Sequence, residues 1–227
     1  MGVTVPVKAR LYQATDALAG ELLVIKSSLD TYRVIGLNAS RIVSGKLIFG
    51  HLQNLSLLRV ALGLANVFER EKKGGHELCS VSGVLRLAKD TPIEEIEPVH
   101  AFAAKYEVKP QDVWAVEIDE VFAKQRPTVA RHMRRVSKVR NTRIAHLQQA
   151  SPHAAPIEDL PSIAAFEELL AFAVGFHAFV NRAFLQTNAH PILSDTYVAN
   201  SLCKVLEVVG VDTVVTDFPT PPRRQGA

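Results

Sequence analysis

Residues 163–184 read IAAFEELLAFAVGFHAFVNRAF, and this stretch decides the fold class. Ile163, Phe166, Leu170, Ala173, His177, Val180 and Phe184 follow one another in alternating steps of three and four. Such steps keep side chains on one face of an α-helix, whereas one face of a strand repeats every second residue. Working outward, Leu18, Leu22, Ile25, Leu29 and Tyr32 have the same period and predict an early helix that ends near Gly36 and Asn38. Leu52, Leu55, Leu58, Leu62, Ala65 and Phe68 are the expected buried stripe of a long second helix. It is expected to stop at Lys72-Lys73-Gly74-Gly75, because glycine ends helices readily.

Ser80 or Ser82 can cap a short helix through Ala88, which Pro92 closes because proline breaks the hydrogen-bond ladder. Two further short helices are predicted near Pro98 to Tyr106 and Pro110 to Ala123, each with its proline at the start. Pro127 and Thr128 open a basic helix that runs to about Gln149 and breaks at Ser151-Pro152. A final helix is expected from Ser194 to Val209, then a short strand within Val211 to Phe218 and a disordered tail over 219–227. With many helices and at most one strand, the expected class is all-α, a helical bundle forming one domain over residues 1–218.

Composition agrees with a chain that buries a core: 48% of the 227 residues are hydrophobic and 22% charged, far from a disordered profile. Cys79 and Cys203 form no close pair, so neither a disulfide framework nor a zinc knuckle is expected; both read as buried apolar residues. The longest uninterrupted apolar run, Leu169 to Phe176, is well short of the ~20 residues of a membrane span. Pro6 stands where a myristoylation signal requires Ser or Thr. The expected location is cytoplasmic, with no membrane partner. Phe166, Phe176, Phe179 and Phe184 are expected in the core, and His177 as a hydrogen-bonded core histidine.

A net charge of +3 says little about partners, but its distribution is lopsided. Nine acids lie between Asp90 and Glu120, and none from Val121 to Ile157. That second stretch holds Lys124, Arg126, Arg131, Arg134, Arg135, Lys138, Arg140 and Arg143. The two blocks could pack on each other as complementary faces, or the basic one could meet a polyanion.

Several familiar sites fail on spacing. Ser44-Gly45-Lys46-Leu47 lacks the upstream glycine of a phosphate-binding loop and the hydroxyl that would reach magnesium. No histidine pair has metal-ligand spacing, and no acid lies near His132, His146 or His153 in the chain, so no metal and no cofactor are expected. Ser82-Gly83 has no nucleophile-elbow context.

One segment survives: Arg140-Asn141-Thr142-Arg143-Ile144-Ala145-His146. Metal-free RNA cleavage needs a group that moves a proton at the 2′-hydroxyl or the leaving oxygen, and a cation that holds the scissile phosphate. Histidine titrates near neutrality, and arginine offers phosphate a planar fork of donors. On an ideal helix six residues at ~100° each leave Arg140 and His146 roughly 120° apart, so one helix alone does not bring them together. In the stripe Val129, Met133, Val136, Arg140, Ile144, Leu147, Arg140 also occupies a place due to an apolar residue; it should have a partner or line a wet cleft.

The segment resembles the motif of nucleases of the HEPN superfamily (higher eukaryotes and prokaryotes nucleotide-binding), an Arg, four to six residues, then a His, often with Asn or Asp after the Arg. It looks most like the AbiU branch of abortive-infection proteins, and the similarity in layout extends over about Leu18 to Phe184. The resemblance implies a HEPN-like bundle core with additional short helices. It also implies a metal-independent ribonuclease of phage defence or a toxin–antitoxin pair, with Arg140, Asn141 and His146 as catalytic residues. Expected partners are RNA, a second copy in a homodimer with facing motifs, and a cognate antitoxin protein. Arg131, Arg134, Arg135, Lys138 and Arg143 are the candidate RNA-backbone contacts. The second reading is a non-catalytic helical module binding RNA, a nucleotide or a protein; Leu147-Gln148 after the histidine departs from the polar or charged residue many AbiU-like chains carry there.

Overall fold

The structure, a computed structural model, describes residues 6–69, 79–91, 126–140, 161–185, 187 and 192–214. Within them every regular element is helical, and no strand occurs. The α-helices are α1 (Val7–Asn38), α2 (Lys46–Val67), α3 (Val81–Asp90), α4 (Arg126–Val139), α5 (Ile163–Val180) and α6 (Tyr197–Val208). A π turn over Asn181–Leu185 follows α5, and a short 3-10 turn over Ile192–Ser194 precedes α6.

Helix α1 organises the bundle, packing against α2, α3, α5, α6 and the 3-10 turn. At 32 residues it is about 48 Å long at 1.5 Å per residue. Leu18, Leu22, Ile25 and Leu29 are all buried, as their spacing predicts. Helix α5 is enclosed more completely: Phe166, Leu170, Ala173, His177, Val180 and Phe184 are buried, together with Leu169, Phe172, Phe176 and Phe179. Only Ile163 of the expected stripe is exposed, at the helix start. Burying side chains of this size contributes roughly 1.5–3 kcal/mol each, so α5 anchors the main core. A smaller cluster at the far end of α1 joins Val34, Ile35, Ile42, Phe49, Cys203, Leu206 and Val211.

The helix ends follow local chemistry. Ser80 caps α3 by accepting from Gly83 N–H at 3.2 Å, and Ser162 caps α5 by accepting from Ala165 N–H at 3.2 Å. Gly45, at φ 72°, turns the chain into α2, a left-handed conformation that glycine takes without penalty. The Ser44-Gly45-Lys46 triplet is therefore a helix start.

Three expectations are corrected. The stripe read as the buried face of α2 is wrong in its first half: Leu52 is 39% exposed and Leu55 60%, while Val60, Ala61, Leu64 and Val67 face the core. No strand forms over 211–214; Val211 is buried, and Val214 donates its N–H to Oδ1 of the buried Asn38 at 2.9 Å, a side chain taking the role of a ladder partner. Cys79 is exposed, and only Cys203 is buried. Burial, with the nearby Glu207 carboxylate, pushes the Cys203 thiol above its ordinary range and keeps it protonated. The expected helices near 98–106 and 110–123, the acids from Glu94 to Glu120 and the tail at 219–227 lie outside the described residues.

By length and composition alone, α2 and α5 are each long and apolar enough to cross a membrane, at hydropathies of 1.3 and 1.7. Half of the α5 window is buried inside the bundle, against 28% for α2.

Helices α1 and α2 approach closely at Gly63. A Cβ there would lie 2.5 Å from Ile25 Cγ1, 2.8 Å from Arg59 Nη1 and 2.9 Å from Glu21 Oε1. The same place holds the bidentate Arg59–Glu21 pair, both contacts 2.7 Å. Gly63→Val is expected to lower the unfolding free energy by about 1–3 kcal/mol, since overpacking outweighs the gain from removing a helical glycine. Urea denaturation checks this, and an unchanged midpoint would refute the close approach.

Candidate nucleic-acid interface

Helix α4 has two faces set by its sequence. His132, Val136 and Val139 are buried, and the helix packs through this side against α2 and α5. Arg131, Arg134, Arg135 and Lys138, at spacings of three, one and three, share the other side and are all exposed. They run about 10 Å along the axis at 1.5 Å per residue. Residues 126–140 contain no acid, and no ion-pair partner of Arg131, Arg134 or Arg135 occurs among the described residues. Like charges at Arg131, Arg134 and Arg135 on one exposed ridge repel each other, a cost that a bound polyanion would relieve.

Arg140 directly follows α4. It is half-buried, not one of the fully exposed cations, in keeping with its place on the apolar stripe. Val136 of that stripe is buried, and Val129 and Met133 are partly buried against the main core. The other expected site residues, Asn141, Arg143 and His146, lie outside the described residues.

Behind the ridge is a pair that local spacing does not reveal. His132, buried on the inward side of α4, places Nε2 2.9 Å from Oε2 of Glu168 on α5, 36 residues away. A carboxylate only accepts, so Nε2–H is the donor. The other ring nitrogen, Nδ1, is buried with no hydrogen-bond partner among the described residues. The pair joins α4 to α5 on the same side as the buried Val136 and Val139. No acid lies near His132 in the chain, so the sequence gives no local sign of this pair. The only available signal was its position one residue before Met133, on the margin of the apolar stripe.

His177 is the hydrogen-bonded core histidine that its place on α5 predicts. Asn181 donates Nδ2–H to His177 Nε2 and to the His177 carbonyl, both at 2.9 Å, and accepts the Thr187 hydroxyl on Oδ1 at 2.5 Å. This network closes α5 and opens the π turn. It borders a small polar cleft of about 80 Å³ against Tyr12, Thr15 and Asp16 of α1. Among the described residues no group of three or more His, Cys, Asp or Glu side chains is placed to hold a metal ion.

Comparison of the chain with protein-family models, with characterised proteins and with solved structures returns no match.

Proposed function

We propose that this chain is a metal-independent endoribonuclease of the HEPN type, acting as a homodimer in phage defence or as the toxin of a toxin–antitoxin pair. The observation that supports the reading is that the sequence segment Arg140-Asn141-Thr142-Arg143-Ile144-Ala145-His146 begins directly after α4, whose exposed side carries Arg131, Arg134, Arg135 and Lys138. The ridge supplies contacts to RNA phosphates without reading sequence, and Arg140 and His146 supply the chemistry.

The reaction needs nothing beyond RNA and these side chains. A base removes the 2′-hydroxyl proton, and the resulting oxygen attacks the adjacent phosphorus. The bond to the 5′-oxygen breaks, and that oxygen takes a proton. The products are a 2′,3′-cyclic phosphate and a 5′-hydroxyl end. His146 moves a proton in this sequence, and Arg140 stabilises the charge that develops on the non-bridging phosphate oxygens. Asn141 orients one of the two through its amide. Since Arg140 and His146 stand roughly 120° apart on an ideal helix, a second copy facing the first completes the cleft.

Incubating the purified full chain with RNA in EDTA is expected to yield fragments ending in 2′,3′-cyclic phosphate. Salt-dependent RNA binding with no cleavage under any of these conditions would overturn the nuclease reading in favour of a binding module.

A further inference from the structure

The misread stripe of α2 has its own explanation. Ile48 is 65% exposed, Leu52 39% and Leu55 60%, and these residues are separated by steps of four and three. Arg59 and the half-buried Leu62 continue the same steps, so the line has the 4-3-4-3 spacing of a coiled-coil seam. Leu47, beside it, is 85% exposed. Arg59 is the one charge in the line, and its bidentate pairing with Glu21 of α1 neutralises it. The opposite side of α2, with Val60, Ala61, Leu64 and Val67, is fully used by the core. The helix thus carries two apolar faces, and among the described residues no segment covers this one.

The composition of the exposed segment selects the occupant. Residues 47–58 contain no Asp, Glu, Lys or Arg, twelve positions without a charge on a helix that is largely solvent-facing over this length. A charged partner would find nothing to pair with, whereas a second copy of the same face meets no like charge. A seam with heptad spacing also presents the knobs and holes that an identical helix fills. A bilayer is a poorer match, because His51, Asn54 and Ser56 are interleaved with the leucines and would enter hydrocarbon with them.

We infer that α2 is a self-association surface, two copies of the chain pairing α2 against α2 along Ile48, Leu52 and Leu55. This assignment does not rest on the nuclease reading.

Sedimentation velocity on the full chain tests it. The wild type is expected to move from 24.9 kDa to twice that mass as concentration rises. Ile48→Lys with Leu55→Lys is expected to weaken the dimer by at least about tenfold in Kd, with an unchanged thermal melt. Leu47→Lys, at a still more exposed position, is the second variant should the first melt early. A wild type that stays monomeric at every concentration overturns the inference, as does a dimer untouched by both variants. Flotation of the wild type with neutral phosphatidylcholine vesicles, abolished by the same substitutions, would also overturn it by assigning the face to lipid.

Discussion

His146→Ala is expected to lower RNA cleavage in EDTA by about 10²–10⁴-fold, the usual contribution of a positioned proton-transfer group. Binding should change far less, because the proposed phosphate contacts, Arg131, Arg134, Arg135 and Lys138, are untouched on the exposed side of α4. The loss should therefore appear in the rate at saturating RNA. Arg140→Ala is expected to be at least as harmful, and the double variant little worse than either alone, because residues that act as a unit are strongly non-additive. Circular dichroism and an unchanged melting midpoint separate a chemical defect from unfolding. Equal cleavage by wild type and His146→Ala would remove His146 from the mechanism, and with it the HEPN assignment.

Lys26→Met is expected to cost about 3–5 kcal/mol of stability near neutral pH, the usual effect of leaving one charge of a buried pair behind. Lys26 and Asp30 are both buried within α1, with Nζ 2.5 Å from Asp30 Oδ2 and 2.8 Å from the Asp195 carbonyl that leads into α6. Even with this partner, burial holds the Asp30 carboxyl above its ordinary range, outweighing the hydrogen bond and charge of Lys26 and the charge of Arg33. Replacing both members of a buried pair by apolar residues leaves no unpaired charge, so Lys26→Met combined with Asp30→Leu is expected to recover most of the loss. The pH dependence follows from the direction of the shift. A carboxyl whose folded pKa is raised binds its proton more tightly when folded, so stability falls as pH rises from the ordinary value of 3.8 through the raised one. Removing Lys26 raises Asp30 further, and the deficit of Lys26→Met should shrink on acidification as Asp30 becomes neutral. Urea denaturation across a pH series measures this; a deficit that does not shrink towards acid pH would show the coupling to be absent.

The fold class was legible because α1 and α5 repeat their apolar residues at the helical period. Leu18, Leu22, Ile25 and Leu29, and Phe166 through Phe184, are buried where that period places them. Ser80 and Ser162 cap helices through hydroxyls that reach three residues along the chain, an equally local event. Of the candidate site, the basic ridge was legible for the same reason, since spacings of three and four keep Arg131, Arg134, Arg135 and Lys138 together on any helix. Cys79 was misplaced because residue type states a tendency to be buried and not a neighbour.

What local pattern established is therefore the helical class, the positions of α1 and α5, the charged side of α4 and the place of Arg140 on its apolar stripe. The packing alone chose which side of α2 is covered: α1 comes close at Gly63, where no side chain intervenes, and Ile48, Leu52 and Leu55 remain outside. It also brought His132 to Glu168 and Lys26 to Asp195. Periodicity depends on residues within one or two turns, whereas burial and charge pairing depend on what another segment presents, and that information lies 36 and 169 residues away.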